Sequence, residues 1–390
     1  MRKFRLAFVV SHPIQYYAPI YRQLSAKRDI DVKVFFTWHS GAGVEDDHGF
    51  KRRVAWDIPL TSDYDFELLR NTSTEPGSHR FFGAYNPGIV RRILDWKPDA
   101  VHVTGYALAS HLWCILDLSR RGVPTLFRGD SHLLERRNQT AWRLKRLARR
   151  IVFRRPSIFL YVGTHNLAYY RDAGVPESKL LFCPHSIDVD RFAQPNDLWE
   201  DQAAIWRREI GIPPDHKVIL FAGKFEPKKR PLELIAAVRK MNSEELHLLM
   251  VGDGELREQV RAQAPDGTNR VHVLPFQNQS RMPALLRMCD LFCLPSAYAE
   301  TWGLSVNEAL ACGRPALVST RVGCAPDIIR PGFNGDIFQW DDWDDFGRKV
   351  NSALGTGAPV NRKSIREDAG RFSTDAAVTA LMVAIQHLQS

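Results

Sequence analysis

The sequence predicts an α/β protein built from two doubly wound domains, each with a parallel sheet covered by helices. The chain has 390 residues, which is too long for one compact domain and suits two. Short apolar runs alternate with helical patterns in both halves, as they do in βαβ units. Between the halves, Asp190–His216 is charged and contains three prolines, which is typical of an interdomain connection.

In the N-terminal half, apolar runs bounded by Gly, Pro or polar residues indicate strands, and the longer segments between them indicate helices. The expected strands are Leu6–Val10, Val32–Trp38, Ala100–Thr104, Pro124–Arg128 and Ser157–Val162. The expected helices are Ile14–Leu24, Ile89–Trp96, Leu108–Arg120 and Asn166–Ala173. Residues 39–87 are polar and without a clear period, so we expect an irregular insertion there.

The C-terminal half repeats the alternation. Its expected strands are Val218–Ala222, His247–Val251, Val271–Leu274, Leu291–Leu294 and Ala316–Ser319. Residues 372–389 have the pattern of an amphipathic helix. Ligands of open α/β sheets bind outside the carboxyl ends of the strands, so the loops that follow these strands are the first candidates for a functional site.

The composition is ordinary for a folded protein, with 44% apolar and 25% charged residues. No apolar run approaches the roughly 20 residues that a membrane-spanning helix needs. The N-terminus turns polar at Ser11-His12 after a short apolar stretch and has no A-x-A-like cleavage site, so we interpret it as a first strand. The six cysteines form no C-x-x-C pair, as expected of reduced thiols in a cytoplasmic protein.

A formal net charge of +9 favours acidic partners such as nucleotide diphosphates, anionic lipid or nucleic acid. Residues 136–155 contain nine Arg or Lys and no Asp or Glu. Trp142, Leu144, Leu147 and Ile151 approximate a helical stripe among these cations. The helix could dock on an anionic membrane, or it could pack on the core with a solvated basic face, and the sequence leaves both interpretations open.

The most informative segment, from Glu300 to Pro315, reads E-T-W-G-L-S-V-N-E-A-L-A-C-G-R-P. An apolar strand pattern precedes it, so Glu300 lies in the loop after a strand and Glu308 about two turns into the following helix. Backbone N–H groups at a helix start can hold phosphate, and flanking carboxylates can accept hydrogen bonds from sugar hydroxyls. The combination suits a nucleotide-sugar; an ordinary strand–loop–helix with surface carboxylates is the alternative.

This segment resembles the E-x7-E signature of retaining glycosyltransferases with the GT-B fold, in particular family 4, the glycosyl transferases group 1. The resemblance implies two Rossmann-like domains that face a cleft. Residues 1–193 would form the N-terminal acceptor-binding domain, with residues 39–87 over its acceptor side. Residues 210–368 would form the donor-binding domain, and residues 369–390 a C-terminal helix that packs back on the N-terminal domain.

The resemblance also implies donor-binding residues. Glu300 would bind hydroxyls of the donor sugar and Glu308 the ribose hydroxyls, with the turn between them lining the site through Thr301, Trp302, Gly303 and Leu304.

Phe221–Pro231 resembles the family's G-R-x4-K loop, with Gly223, Lys224 and Lys229 at its key positions. Two cations on a loop that leaves a strand can neutralise a diphosphate leaving group as the glycosidic bond breaks.

Two further loops follow strands of the C-terminal half. Gly252 belongs to a G-D-G turn, where it either permits tight backbone geometry or lines the donor pocket. Asn278 lies in Phe276–Gln279, where the resemblance implies packing against the nucleotide base.

In the N-terminal half, His12 and Gln15 follow the first strand, and Arg128 ends the strand Pro124–Arg128. The family usually carries a His after that strand, facing the donor sugar. Asp130 falls at its position here, and His132 lies two residues further on. The resemblance therefore implies catalytic roles for Lys229, Glu300 and either Asp130 or His132, and an acceptor side formed by His12, Gln15 and Arg128.

The function implied is that of a metal-independent, retaining glycosyltransferase of the EC 2.4 type, without a cofactor. It would transfer a hexosyl or related sugar from a UDP- or GDP-linked donor to a glycan or lipid-linked acceptor, as in cell-surface polysaccharide or glycolipid synthesis. We expect a cytoplasmic protein with no nucleic-acid partner. If residues 136–155 dock on anionic lipid, the protein is peripheral at the inner face of the membrane. Two alternatives remain: a sugar-nucleotide epimerase on the same fold, and a glycan- or nucleotide-binding protein whose active site has decayed, which the missing His motivates.

Asp188 and Asp190 form a D-x-D pair that resembles a metal-binding motif of another glycosyltransferase fold. The residues around the pair follow the GT-B pattern, so we assign no metal ligand.

Overall fold

The computed structural model describes residues 2–38, 45–47, 52–134, 139–264, 270–355 and 360–389. The chain divides into two compact units. Unit 1 comprises residues 1–45, 58–186 and 374–390, and unit 2 comprises residues 46–57 and 187–373. Each unit has its own parallel sheet with helices packed against it, which confirms the predicted α/β class with two doubly wound domains.

The strands of the described residues form two large parallel sheets and one small sheet. They are Phe4–Val10 (β1), Ile30–Phe36 (β2), Glu45–Asp47 (β3), Arg52–Val54 (β4), Asp65–Leu68 (β5), Ala100–Thr104 (β6), Thr125–Arg128 (β7), Ile158–Tyr161 (β8), Leu180–Phe182 (β9), Lys217–Ala222 (β10), Leu246–Val251 (β11), Val271–Leu274 (β12), Leu291–Leu294 (β13), Ala316–Ser319 (β14) and Gly335–Phe338 (β15). The strand order is β5-β2-β1-β6-β7-β8-β9 in unit 1 and β12-β11-β10-β13-β14-β15 in unit 2, and β3 pairs with β4.

Helices connect the strands. They are Ala18–Ser25 (α1), Ile89–Asp95 (α2), Ala109–Arg120 (α3), Gln139–Val152 (α4), Thr164–Asp172 (α5), Val189–Ala193 (α6), Asn196–Glu209 (α7), Pro231–Lys240 (α8), Arg257–Ala262 (α9), Met282–Arg287 (α10), Leu304–Ala311 (α11), Ala325–Ile328 (α12), Trp343–Leu354 (α13), Arg362–Ala369 (α14) and Thr374–Gln389 (α15). Within the described ranges, none of these helices has both the length and the apolar character needed to cross a bilayer.

The sheet of unit 1 is buried on both faces, which explains its continuous apolar strands. Along β1, alternate side chains point to opposite faces. Leu6 and Phe8 belong to the core beneath α1 and α15, whereas Ala7 and Val9 belong to the core beneath α2, α3 and α5. The C-terminal helix α15 thus packs on the N-terminal domain through residues such as Leu381, as predicted.

The core of unit 2 follows the same principle. Ile219 and Phe221 of β10 and Leu248 of β11 pack beneath α8 and α13. Leu234 of α8 and Phe346 of α13 contribute side chains with 0% exposure to this core. The buried strands place their carboxyl ends, and the loops that follow them, at one edge of the sheet.

Three local predictions were wrong. The first helix starts at Ala18 and not at Ile14, with Pro19 in its first turn, where the missing proline N–H costs no helical hydrogen bond. Residues 39–87 are not irregular throughout, because Asp65–Leu68 extends the sheet parallel to β2 and the Phe66 ring packs against Phe36. Residues 46–57 of this insertion belong to unit 2, a placement that their polar sequence does not reveal.

The connection Asp190–His216 also contains regular structure, in α6 and α7. One of the charges that made this segment resemble a linker, Glu200, pairs with buried arginines. Glu200 of α7 accepts a 2.5 Å hydrogen bond from Arg314, whose side chain is 1% exposed, and it lies 3.6 Å from Arg287. A buried guanidinium needs such partners, and α7 is held against α10 by them.

A chain of three histidines crosses the sheet of unit 2. His216 Nδ1 lies 2.9 Å from His247 Nε2, and His247 Nδ1 lies 2.9 Å from His272 Nε2. Burial, the two neighbouring imidazoles, Arg207 and Arg270 together lower the pKa of His247 to about 4, and burial lowers the pKa of His272. The folded state therefore favours neutral imidazoles at His247 and His272.

We predict that acid destabilises the protein through these groups. Unfolded histidine titrates near pH 6.5, so the unfolded chain binds more protons than the folded one, and the free energy of unfolding falls as pH decreases below about 6.5. Replacing the central residue, His247→Asn, should make this fall shallower. Urea unfolding at several pH values between 7.5 and 5, followed by circular dichroism, measures the slope.

The slope should not vanish in the variant, because burial also lowers the pKa values of His102 and His111, to about 3 and about 4. A slope equal to that of the wild type would show that the histidine chain is not a site of acid sensitivity.

Candidate active site

The strand order of unit 2 places a crevice between β10 and β13. From β10 the sheet continues through β11 and β12 on one side and through β13, β14 and β15 on the other. The loops that leave β10 and β13 therefore turn in opposite directions and leave space at the carboxyl ends of the strands, which is where open α/β sheets bind ligands. Gly223–Arg230 follows β10, and Pro295–Gly303 follows β13.

A salt bridge joins these two loops. Lys229 Nζ lies 2.6 Å from Glu300 Oε2, and each side chain is 14% exposed. The Ser296 hydroxyl donates to the same carboxylate oxygen at 3.1 Å, and Ala297 N donates to Lys228 O at 2.8 Å. Burial alone would raise the pKa of Glu300, but the Lys229 ammonium and the Ser296 hydroxyl hold that pKa below its usual value. The carboxylate is thus ionised and paired with a cation.

The loop after β10 rests directly on the glycine turn after β11. Phe225 N donates to Asp253 O at 2.8 Å, and Leu256 N donates to Phe225 O at 3.0 Å. Gly252 has φ +157°, and a Cβ added there would lie 1.9 Å from Gly223 O. The turn therefore has a structural role, because only glycine lets the two backbones approach this closely. Gly223 itself lies beside the Lys229 side chain, and Lys224, half-buried, follows it.

The loop that carries Glu300 is held by the loop after β14. Gly323 N donates to Glu300 O and Cys324 N donates to Trp302 O, both at 3.0 Å. A Cβ on Gly323 would lie 1.9 Å from the Thr301 carbonyl oxygen. These contacts fix the turn Glu300–Gly303 at the start of α11.

Helix α11 begins at Leu304 after Gly303, which has φ +101°. The Trp302 indole donates to Asn307 Oδ1 at 3.0 Å and is buried. Glu308 is 2% exposed, on the second turn of the helix. The two carboxylates of the E-x7-E pattern therefore differ in their surroundings. Glu300 lies in the loop after β13 and pairs with Lys229, whereas Glu308 is a buried residue of α11.

Residues from the N-terminal insertion contact the loop after β12. Asn278 Nδ2 donates to Ala55 O, Ser280 donates to the Asp57 carboxylate, and the Trp56 and Phe276 rings meet edge to face at 6.3 Å. The sequence does not predict this contact, because Ala55–Asp57 and the loop after β12 are more than 200 positions apart and no local pattern links them. Asn278 is thus held in place by Ala55.

In unit 1, the end of β7 is anchored by a buried arginine. Arg128 is 4% exposed and donates to Cys183 O at 3.1 Å and to Pro184 O at 3.0 Å. Its guanidinium also lies 5.9 Å from the centre of the Tyr17 ring, which stacks on His185. Arg128 therefore fixes the loop after β9 and does not present its donors at the surface.

Asp130 and His132 follow β7 in a segment held by α5. Gly129 N donates to the Tyr170 hydroxyl at 2.9 Å, and Asn166 Nδ2 donates to Ser131 O at 2.9 Å. Leu134 N donates to His132 Nδ1 at 3.3 Å. Both candidate residues are half-buried at the carboxyl edge of the sheet.

His12 and Gln15 follow β1 at this same edge and are also half-buried. The Ser11 hydroxyl lies 2.9 Å from His12 Nδ1, and the His12 ring meets Trp38 edge to face at 5.2 Å. The acceptor-side residues predicted from the sequence are thus brought to one edge of unit 1. Tyr17 and His185 lie near Arg128 as well. Burial is the main cause that lowers the pKa of His185 to about 3, and the positive charge of Arg128 lowers it further.

One member of the D-x-D pair has a structural explanation. Asp188 caps the short helix α6, since its carboxylate accepts a hydrogen bond from Arg191 N at 3.2 Å. Arg191 in turn donates to the backbone and side chain of Gln279, which secures the loop that carries Asn278.

Comparison with known proteins covers the segment that carries these loops. Residues 202–370 match the family model described as Glycosyl transferases group 1. The resemblance to these enzymes is confirmed. A D-inositol 3-phosphate glycosyltransferase from Mycobacterium sp. (strain JLS) is 32% identical over 197 residues, which cover 48% of this chain and 42% of that protein. The match thus spans less than half the length of this curated relative.

Solved structures of glycosyltransferases match nearly the whole chain in fold. Anabaena Alr3699/HepE, crystallised with UDP and glucose, has a TM-score of 0.72 and 16% identity, with 98% of this chain and 99% of that chain covered. The lipopolysaccharide outer core galactosyltransferase WaaB has a TM-score of 0.68 and 16% identity over the same proportions. At this identity the likeness concerns the fold, and it confirms the GT-B architecture.

We predict that Gly252→Ala destabilises the turn after β11 and the loop after β10 that rests on it. The added Cβ meets the Gly223 carbonyl oxygen at 1.9 Å in a backbone conformation unfavourable for alanine, so the loss should reach about 2 kcal/mol or more. The free energy of unfolding from urea denaturation gives the measurement.

Gly347→Ala is the matched control. Gly347 lies inside α13, and a Cβ there has nothing within 4 Å, so the substitution should stabilise by roughly 0.5–1 kcal/mol. Equal effects of the two substitutions would contradict the close-approach argument.

Proposed function

We propose that this protein is a retaining glycosyltransferase that moves a sugar from a nucleoside-diphosphate-sugar to a hydroxyl group of an acceptor. The observation that carries the proposal is the Lys229–Glu300 pair, which lies between the loops after β10 and β13 within the segment that matches the group 1 family. An anion-binding cation beside a hydroxyl-binding carboxylate is what recognition of a sugar diphosphate requires.

Donor binding would exchange the partners of this pair. The diphosphate would take the Lys229 ammonium, with Lys224 as a second cation, and Glu300 would turn to hydroxyl groups of the sugar. Negative charge on the leaving phosphate grows as the glycosidic bond breaks, so these cations would stabilise the transition state more than the bound donor. Two ammonium groups would serve without a metal ion, and we propose a metal-independent reaction.

The acceptor would be bound by unit 1, where His12, Gln15, Asp130 and His132 are at the carboxyl edge of the sheet. We propose front-face substitution with retention, in which the leaving phosphate helps to deprotonate the acceptor hydroxyl. Asp130 or His132 would face the donor sugar in place of the usual histidine.

The similar proteins guide the choice of substrates. The Anabaena structure contains UDP and glucose, and WaaB is a lipopolysaccharide galactosyltransferase. We therefore propose a UDP- or GDP-linked donor and a glycan or lipid-linked acceptor, in cell-surface polysaccharide or glycolipid synthesis on the cytoplasmic side of the membrane.

The test is an incubation with UDP- and GDP-linked sugars in excess EDTA, with and without candidate acceptors. Transfer with retained anomeric configuration, or slow donor hydrolysis, supports the proposal. An isomerised donor would identify an epimerase, and binding without turnover would identify a decayed enzyme. Activity that only magnesium or manganese restores would refute the metal-independent part.

We predict that Lys229→Ala lowers turnover with every acceptor by about a hundredfold or more, because it removes a charge aimed at the leaving group. It also leaves Glu300 without its nearest cation. The measurement is steady-state kcat and KM, both for sugar transfer to each acceptor and for donor hydrolysis.

Lys228→Ala is the matched control. The Lys228 side chain pairs with Glu226 at 3.0 Å, while its contact to the loop after β13 uses the backbone oxygen, which alanine keeps. Loss of activity as large as that of the Lys229 variant would place the phosphate lysine one position earlier.

We predict that Glu308→Ala weakens binding of the free nucleoside diphosphate. A charge-assisted hydrogen bond to ribose is typically worth about 1.5–3 kcal/mol, so the dissociation constant should rise roughly 10- to 100-fold. Isothermal titration with UDP and GDP gives the value, and Glu308→Gln should show an intermediate loss. Unchanged affinity in the alanine variant would exclude the ribose role.

Helix α4 offers a membrane contact, although residues 136–138 lie outside the described residues. One side of the helix is attached to unit 1, since Arg149 lies 2.8 Å from Asp172 and 4.1 Å from the centre of the Tyr169 ring. Leu147 and Ile151, one turn apart, are 60% and 55% exposed. Apolar side chains among exposed cations suit the surface of an anionic membrane.

We predict reversible, salt-sensitive binding to anionic vesicles, because cations near such a surface gain about 1 kcal/mol each at best. Combining Leu147→Gln, Ile151→Gln and Arg150→Glu should release the protein from phosphatidylserine vesicles in sedimentation assays at low salt and leave nucleotide binding unchanged.

The control is Leu198→Gln, at a residue that is 58% exposed on α7 of unit 2. If the wild type ignores these vesicles, the membrane contact fails and a soluble acceptor is favoured.

A further inference from the structure

A row of aromatic side chains lies at the surface of unit 1. The Phe81 and Phe82 rings are 4.9 Å apart, Phe82 and Tyr85 are 6.1 Å apart, and Tyr85 and Trp113 are 5.0 Å apart between ring centres. Phe81, Phe82 and Trp113 are 44%, 61% and 38% exposed. Large aromatic side chains exposed in one contiguous row usually mark a binding surface.

The row continues into a groove between α2 and α3. The groove has a volume of about 830 Å³, within the range of roughly 300–1,000 Å³ of ligand clefts. Trp113, Leu94 and Leu116 give it an apolar lining, and Asp95 and Asp117 are among its polar lining residues. We call the row and the groove together the aromatic groove.

Hydrogen bonds of the buried Asn86 side chain fix the end of the loop that carries Phe81, Phe82 and Tyr85. Asn86 is 2% exposed and donates to Thr37 O at 3.0 Å and to Arg70 O at 2.9 Å. The Ser110 hydroxyl donates to Asn86 Oδ1 at 2.9 Å, which ties the loop to α3. The backbone that follows the rings is therefore fixed, and such preorganisation lowers the entropic cost of binding.

We propose that the aromatic groove binds an oligosaccharide, as a glycan site separate from the donor loops of unit 2. A sugar ring presents a C–H face that packs on an aromatic ring and an edge of hydroxyl groups that both donate and accept hydrogen bonds. The groove offers flat rings for the first, and carboxylates and guanidinium groups of Arg91, Arg120 and Arg121 for the second. The choice of a glycan also rests on the proposed function.

The mixed charge of the groove distinguishes it from a lipid-binding surface. Its lining combines three arginines with two aspartates, and Arg121 pairs with Asp117 at 3.1 Å. Carboxylates in the lining would oppose an anionic membrane, whereas they are good acceptors for neutral hydroxyls. The exposed face of α4 lacks this mixture among its described residues and retains the membrane role proposed above.

The test is isothermal titration of the full chain, without nucleotide, with maltohexaose, cellohexaose, chitohexaose and xylohexaose. We expect saturable binding of at least one of these probes. Trp113→Ala and Phe82→Ala should each weaken it about tenfold, as loss of an aromatic contact predicts. Phe333→Ala, at a residue of unit 2 that is 39% exposed, should leave it unchanged, and thermal unfolding checks that the variants are folded.

Lys229→Ala separates this inference from the proposed function. It should lower donor turnover about a hundredfold or more and leave hexasaccharide binding intact, so failure of one proposal is visible without the other. The glycan site is overturned if none of the four probes binds saturably, or if Trp113→Ala binds as well as the wild type. It is also overturned if sedimentation shows that the wild type self-associates and Trp113→Ala does not, because the groove would then be an interface between copies of the chain.

Discussion

The ion pair of Lys229 with Glu300 joins the two loops of the candidate active site of unit 2. Each partner is largely buried, so neither charge is stable without the other. A ligand that enters the crevice must therefore supply an anion for the lysine and hydrogen-bond donors for the glutamate together. A sugar diphosphate meets both requirements, whereas free phosphate or a neutral sugar meets only one. The pair thus links the electrostatics of this site to the proposed selectivity for a nucleotide-sugar.

The backbone around this pair is held by close contacts that only glycine permits. Gly252 lets the turn after β11 support the loop that carries Lys229, and Gly323 lets the loop after β14 support the turn that carries Glu300. Four neighbouring strands therefore contribute to the position of two side chains. A site built in this way is preorganised, which is the property that electrostatic catalysis requires.

Unit 1 combines a fixed edge with two different outer surfaces. Arg128 ties the ends of β7 and β9 together through backbone carbonyl groups, so the loop residues proposed to face the acceptor start from a rigid frame. The exposed face of α4 carries basic and apolar side chains. The aromatic groove carries aromatic side chains together with arginines and aspartates. The chemistry of the α4 face suits a membrane surface, and that of the aromatic groove suits a glycan. A lipid-linked acceptor would offer both, because its lipid lies in the membrane and its glycan extends from it.

The sequence by itself determined the fold class, nearly every central strand and the E-x7-E segment, because buried parallel strands are continuous apolar runs and the motif is contiguous. It also located Lys229 within its loop. Contacts between distant segments were decided only by the tertiary structure. The pairing of Lys229 with Glu300, the burial of Arg128 and the docking of Ala55–Asp57 against the loop after β12 depend on which strands become neighbours. Local patterns carry no information on such pairings, since the partners are 71, 55 and more than 200 residues apart.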